Sequence, residues 1–243
     1  MPPSAAPRVP LTPRNRLLAA LAPDDLARLR PHLEPAALAV GEVLTEPGRP
    51  VAHVLFPEAG IVSVLAAAAD EQRHVEAGMV GREGMVGLPV VLGTDAELHE
   101  LLVQADVQGW RLPSGVLRRA LADSPALHGL LLRYVQAFMA QTAHTLLANT
   151  ARRLDERLAR WLLMCRDRLD GDDLPLTQPF LSRMLGANRP GVTLAVRALT
   201  AAGLVRHARG RITVLDRAGL EAAAGGSYGA PEAEYARLFG PPR

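Results

Sequence analysis

Hydrophobic and polar positions along the chain follow two textures. From Ala36 to Leu112 the apolar residues come in short runs, VAHVLF, GIVSVLA and LLVQADVQGWRL, separated by the turn-forming clusters EPGRP, PEAG, AADEQ and LGTDA. Runs of this length about every ten residues, with no helical period between them, predict short antiparallel strands in a sandwich or roll. From Ser124 the spacing becomes helical. Leu127, Leu131, Tyr134 and Phe138 form one stripe, and Leu132, Val135, Met139, Thr142 and Leu146 form a second. A helix of about 25 residues spans nearly 40 Å, long for the end of a β-domain. Its two stripes predict one face on the helix's own domain and one on a second copy of the chain. A single broad face inside one subunit is the alternative. Upstream, Arg16 to Leu33 also has helical spacing, with a start signal at Pro23 before Asp24 and Asp25.

Beyond a break at Asn149-Thr150, Leu154, Leu158, Trp161, Leu162, Cys165 and Leu169 mark another amphipathic helix from Ala151 to Leu169. Cys165 falls on its apolar side and reads as a buried structural thiol. RLDGDDLP follows as a polar loop. The next stretch, LTQPFLSRMLGANRPGVTLAVRALTAAGLV, runs from Leu176 to Val205. Thr177 can cap a helix whose apolar residues are Phe180, Leu181, Met184 and Leu185, and Gly186 can end it. Asn188 can cap the next helix, where Pro190 is tolerated because its missing N–H would lack a partner anyway. Val192, Val196 and Leu199 line that helix's inner face, Gly203 ends it, and LVRHARGRITVLD reads as two strands around Arg209-Gly210. Helix, turn, helix and β-hairpin make the winged helix-turn-helix pattern.

Charge sharpens this reading. All 27 basic residues of the 243 are arginine. Residues 1–150 hold 12 arginines against 15 acids, and residues 151–243 hold 15 against 10. Within 177–217 there are seven arginines and one acid, Asp216. A solvated surface would mix the signs, so this segment points to a polyanion. In a winged helix the second helix enters the major groove of double-stranded DNA and arginine can bond guanine bidentately. Arg189 is placed for that task, with Thr193 and Arg197 further along the same face. Arg206, His207, Arg209 and Arg211 in the wing would meet phosphates, and Thr177 and Gln178 could reach the backbone.

Other chemistry is thin. No G-x-S-x-G, H-E-x-x-H, P-loop or Cys/His metal pair occurs, and Asp24-Asp25 and Asp172-Asp173 sit in helix-start or loop contexts. No enzyme is expected. The single cysteine excludes a disulfide framework and a Cys-rich metal site. Gly78, Gly81, Gly84 and Gly87 recur every third residue in GMVGREGMVG. With no G-x-G pair and no helix expected after them, they read as β-roll turns rather than a nucleotide-binding loop. The N-terminal MPPSAAPRVPLTPRNR lacks the uninterrupted apolar core of a signal peptide, and no apolar run reaches membrane-spanning length. The cytoplasm is the expected location, with no membrane partner.

These features together resemble the Crp/Fnr superfamily of bacterial transcription regulators over about residues 16–221. The resemblance rests on GREGMVGLPVVLG, on ANTARRLDERLARWLLM, and above all on LTQPFLSRMLGANRPGVTLAVRALTAAGLV with RGRITVLDRAGL. It implies an α+β fold: an N-terminal antiparallel cyclic-nucleotide-binding-like β-roll (16–122), a dimerisation helix (123–150) and a C-terminal winged helix-turn-helix (151–222), flanked by tails at 1–15 and 223–243. It also implies a homodimer on a two-fold-related promoter site, with RNA polymerase a candidate further partner. Relatives that bind cyclic AMP carry a glutamate after the phosphate-turn glycine and an Arg-Ser or Arg-Thr pair about ten residues later. Here Leu88 follows Gly87, and Leu98-His99 stand in place of the pair, beside Asp95, Glu97 and Glu100. Thr142 matches a helix threonine that touches the purine.

The resemblance thus implies a degenerate effector pocket at Gly87, Leu88, Leu98, His99 and Thr142, and an effector other than cyclic AMP. The cysteines of iron–sulfur relatives are absent. The histidines at 32, 53, 74, 99, 128 and 144 leave haem open, though no pair has ligand spacing, so the cofactor is left unassigned. Arg189 matches the family's first base-reading arginine, whereas Pro190 and Leu194 depart from the family's glutamate and arginine. A cyclic-nucleotide-type module acting on a protein partner is the competing reading, and it leaves the arginine-rich wing unexplained.

Overall fold

The computed structural model describes residues 12–67 and 74–241. The expected AADEQ turn and most of the N-terminal tail fall outside them. The chain begins with two short helices, α1 (Arg16–Ala19) and α2 (Pro23–Leu29), followed by a 3₁₀ turn (Arg30–His32), where one helix was expected. Pro23 starts α2 afresh, since it cannot continue α1 as a hydrogen-bond donor. Asn15, assigned to the tail, is fully buried; its Oδ1 caps α1 and its Nδ2 donates to the carbonyls of Pro57 and Gly84.

Strands β1 (Glu34–Leu38), β2 (Val43–Thr45), β3 (His53–Ala67), β4 (His74–Val80) and β5 (Glu100–Pro113) form one antiparallel sheet, ordered β1-β5-β3-β4 with β2 also on β5. The expected turn at PEAG is absent. VAHVLF and GIVSVLA lie on one continuous strand, and its register against β5 shifts at Pro57, Ala59 and Ile61. Gly60 (φ +86°) sits there, where a Cβ would stand 2.2 Å from the Asp106 carbonyl oxygen. The extra residues are absorbed as bulges that bend the strand into the roll.

A helix does follow the glycine run: α3 (Leu88–Val91), opened by Gly87 at φ +97°. Gly81 and Gly84 close the expected turn, the Gly84 amide donating to the Gly81 carbonyl at 3.1 Å, and three of the glycines also make room for packing. A Cβ at Gly84 would lie 2.0 Å from the Tyr134 hydroxyl, and one at Gly81 would lie 2.8 Å from Arg168. The third, Gly78, faces Phe138 and Gln141 equally closely.

Helix starts earlier than expected, with α4 (Ser114–Asp123) before the long α5 (Pro125–Ala151). Ser124 caps α5 by accepting from the Leu127 amide at 3.2 Å. The break after α5 falls at Arg152-Arg153 rather than Asn149-Thr150, and α6 (Leu154–Arg168) follows. On α5, Leu127, Leu131 and Tyr134 are buried against the roll and Phe138 packs partly against it, as the first stripe requires. In the second stripe Val135 is buried and Thr142 half-buried, while Leu132, Met139 and Leu146 are exposed, Met139 by 61%.

The C-terminal part contains α7 (Gln178–Met184), α8 (Arg189–Ala201), β7 (Val205–Ala208), β8 (Arg211–Val214) and α9 (Arg217–Ala223). RLDGDDLP is more than a loop: Asp173-Leu174, here labelled β6, pairs with β8 to make a three-stranded wing sheet, β6-β8-β7. The expected tail at 223–243 is also corrected. Residues Ala230–Phe239 form a helix, α10, which packs back along α5. Tyr235 Oη donates to the Glu83 carbonyl at 2.6 Å, and the Arg16 guanidinium lies 4.6 Å above the Tyr235 ring. A ten-residue helix is marginal alone, so this packing is what holds it.

One hydrophobic core crosses the boundary between the two halves. Ile61, Leu65, Met79 and Leu102 of the roll are in the same buried cluster as Leu158, Trp161, Leu162 and Leu185.

Candidate nucleic-acid interface

The predicted corner forms residue by residue. Thr177 Oγ1 accepts from the Phe180 amide at 3.4 Å and Asn188 Oδ1 accepts from the Gly191 amide at 2.8 Å. Between the two caps, Gly186 takes φ +57°, a left-handed conformation that a side chain would strain. Leu181 and Met184 of α7, and Val192, Ala195, Val196 and Leu199 of α8, are buried against α6. That burial fixes which side of α8 faces water.

The outward side carries Arg189, Leu194 and Arg197, and the wing adds Arg206, His207 and Arg209 around the Gly210 turn (φ +73°), all exposed. Among the described residues, the guanidinium groups of Arg189, Arg197, Arg206 and Arg209 have no hydrogen-bond or ion-pair partner. Four uncompensated cations on one exposed surface give a strong local positive potential.

Other predicted residues are already engaged. Arg211 pairs with Asp173 at 3.2 Å, so β6 partly neutralises it. Thr193 Oγ1 is 3.0 Å from both Gln178 Oε1 and its own helix's Arg189 carbonyl, tying α8 to the start of α7. A groove of about 460 Å3 runs between these two residues, Arg197, Thr200 and His207. Leu194, singled out from sequence only as a departure, is 65% exposed on the outward side. Helical spacing held the signal, since position 194 lies opposite the buried 192, 196 and 199.

The predicted effector residues meet in a cleft of about 550 Å3 between the roll and α5. Gly87, Leu88, Leu98, His99 and Thr142 all line it, among Val64, Val80, Leu101, Phe138 and Met139, and among the described residues no arginine does. Glu97 is only 6% exposed, and its Oε1 accepts from the Leu98 amide (2.9 Å) and the His99 amide (3.1 Å), with His99 Nδ1 at 3.0 Å. Successive backbone N–H groups of this kind form an anion-binding nest. The chain's own carboxylate fills it. Thr142 Oγ1 donates to the Phe138 carbonyl at 3.1 Å, leaving only acceptor capacity toward the cleft. The site suits apolar contact and opposes a phosphate.

Between the arginine-bearing surface of α8 and the wing and this cleft runs a seam that the sequence did not reveal. Arg183 of α7 reaches Glu100 (2.5 Å) and His74 (2.9 Å) of the roll. Deeper in, Trp161 Nε1 donates to Glu76 Oε1 at 2.8 Å, and Gln104 Nε2 lies 3.0 Å from Cys165 Sγ. Ser63 Oγ is 2.7 Å from both Glu76 Oε2 and Gln104 Oε1. One hydroxyl has one proton. With the Gln104 amide in this orientation, both contacts are hydrogen bonds only if Glu76 carries the other. Burial pushes the Glu76 carboxyl up from 4.5 to about 7, against bonds from Ser63 and Trp161 and the charges of Arg168 and Arg160. Burial likewise pushes the Cys165 thiol well up, as befits a structural sulfur.

Residues 156–223 match the Crp-like helix-turn-helix domain family. No curated protein matches the chain in sequence. Solved structures of similar fold include a Crp/Fnr-family transcriptional regulator from Eubacterium rectale, 19% identical, with a TM-score of 0.67 over 86% of this chain and 97% of that one. A CRP-family regulator from Thermus thermophilus is 22% identical, with a TM-score of 0.67 over 80% of this chain and 99% of that one. FixK2 from Bradyrhizobium japonicum is 16% identical, with a TM-score of 0.68 over 79% and 96%. Residues 156–223 therefore carry a Crp-like helix-turn-helix domain. The roll, long helix and helix-turn-helix of the whole chain share the fold of these solved regulators.

Proposed function

We propose that the chain is a transcriptional regulator of the Crp/Fnr type that binds a two-fold-related promoter site as a homodimer. The unpartnered arginines of α8 and the wing, in a domain of the Crp-like helix-turn-helix family, are the observation that carries the reading. Arg189, in the first turn of α8, reads a guanine edge, and Leu194 meets a thymine methyl group further along the groove. Arg197 extends the base-facing row, and Thr193 braces it through Gln178. Arg206 and Arg209 neutralise phosphates, with Arg211 a weaker contributor while Asp173 holds it. Thr177 and Gln178 approach the backbone from the start of α7, and Asn188 fixes where α8 begins.

The second subunit packs along α5 over Leu132, Met139 and Leu146, which otherwise leave an apolar stripe in water. Bound upstream of a gene in the cytoplasm, such a dimer meets RNA polymerase at the promoter. Its effector is not cyclic AMP, because among the described residues no arginine lines the roll's cleft and Glu97 already fills its nest. Gel-shift titration of DNA flanking the chain's own gene, with unrelated DNA as competitor, tests the reading. Retention of the flanking DNA at competitor excess supports it; equal displacement of both DNAs rejects sequence-specific binding.

A further inference from the structure

A second cavity, distinct from the roll's cleft, lies under α10. It has a volume of about 310 Å3, at the small end of ligand pockets. Its walls come from the roll's glycine turn (Glu83), α5 (Tyr134, Gln141), α6 (Arg168) and α9 (Arg217), closed by Tyr235 of α10. The closing helix lies beyond residues 156–223, the part matched by the DNA-binding family.

The Tyr134 hydroxyl is buried and has no hydrogen-bond partner in the chain. Its neighbour, the Met85 amide, can only donate, so the phenol proton has no acceptor. Leaving a buried donor unmade costs about 1–3 kcal/mol. The charged lining groups, by contrast, sum to zero, Arg16, Arg168 and Arg217 against Glu83, Asp167 and Glu232, and Arg16 donates to the Gly240 carbonyl at 2.7 Å. Arg168 Nε pairs with Glu83 at 2.7 Å, Arg217 pairs with Asp167 at 2.7 Å, and Tyr228 Oη donates to the same aspartate. Glu232 accepts from the Gly229 amide at the start of α10. A net charge entering this wall would lose its hydration and meet no net counter-charge. The rings of Tyr134, Phe138, Tyr228 and Tyr235 supply flat apolar surface.

We propose that this cavity binds a small uncharged aromatic molecule, of one or two rings, whose carbonyl or ether oxygen accepts the Tyr134 hydroxyl proton. Such a ligand touches the roll, the long helix and the DNA-binding domain together. It stabilises whichever arrangement of them it fits best.

The probes are acetophenone, benzamide and 2-quinolinone, with benzoate and benzylamine as charged counterparts. They are titrated by saturation-transfer NMR and thermal shift against wild type, Tyr134→Phe and Ala137→Leu. At least one neutral probe should bind wild type saturably and at least tenfold more tightly than either charged counterpart. Tyr134→Phe should weaken it at least tenfold, and Ala137→Leu, which fills the cavity from α5, should abolish it. The proposal is overturned if no neutral probe binds, if charged probes bind equally well, or if Tyr134→Phe binds undiminished.

Discussion

Two regions of this molecule have the elements to hold a phosphate, and they treat it in opposite ways. On α8 and the wing, Arg189, Arg197, Arg206 and Arg209 stand exposed with no partner among the described residues. In the roll, the N–H groups of Leu98 and His99 are already taken by Glu97, and hydrocarbon lines the rest. Cations left uncompensated at the surface serve an incoming polyanion, whereas a nest filled by the chain's own carboxylate no longer needs one. The difference is one of partners rather than fold, since both regions keep the backbone geometry their function requires.

The largest expected effect lies at the seam between the two regions. Folded protein keeps a proton on Glu76 that the unfolded chain releases between pH 4.5 and about 7. Stability should therefore fall as pH rises through that window and level off above it, by about 3 kcal/mol in all. Glu76→Gln should remove this component, so that urea midpoints at pH 5 and pH 8 differ less than in wild type. An unchanged difference would mean Glu76 is already ionised in the fold. Met139→Arg comes next. It places a charge on the exposed stripe of α5 without disturbing the roll, and should yield folded monomer by sedimentation. Operator affinity should drop by more than about 2 kcal/mol, the scale of a central interface residue. A dimeric Met139→Arg protein would move the subunit contact elsewhere.

The nest itself can be emptied. Glu97→Ala should cost about 1–3 kcal/mol by leaving two amides unpaired. Phosphate should restore part of that loss, relative to chloride at equal ionic strength. Wild type should show neither this rescue nor a thermal shift with millimolar cyclic AMP; a ligand at 100 times its Kd would stabilise it by about 2.7 kcal/mol. On the DNA side, Arg189→Ala should cost about 1–3 kcal/mol on the operator and relax one position per half-site. Arg209→Ala should weaken all sequences alike and reduce the salt slope by about one. Equal losses on operator and random DNA for Arg189→Ala would rule out base reading there.

The helix-turn-helix was legible because its determinants are local. Thr177, Gly186, Asn188 and Pro190 each announce a cap or a turn, and the buried set repeats at helical spacing. The apolar lining of the roll's cleft was equally visible, as Leu88 and Leu98 bring hydrocarbon to it whatever the backbone does. What escaped depends on distant partners. GGSYGAPEAEYARLFG reads as a tail because its helix exists only against α5 and Glu83. Asp173-Leu174 looks polar and loop-like until β8 lies beside it. Glu97 seemed merely another acid opposing the phosphate; its place inside the nest is a matter of loop geometry. The Glu76 chain joins residues more than 80 positions apart, and no spacing rule connects them.

The central claim is sequence-specific, two-fold DNA recognition by the unpartnered arginines. Selection from a random duplex pool by the full-length protein, at physiological salt, tests it most directly. The enriched sites should be inverted repeats whose half-site centres lie about 34 Å apart, one turn of DNA, and Arg189→Ala should blur one symmetric position in each half. Enrichment of an asymmetric sequence, or none above the starting pool, would contradict the account.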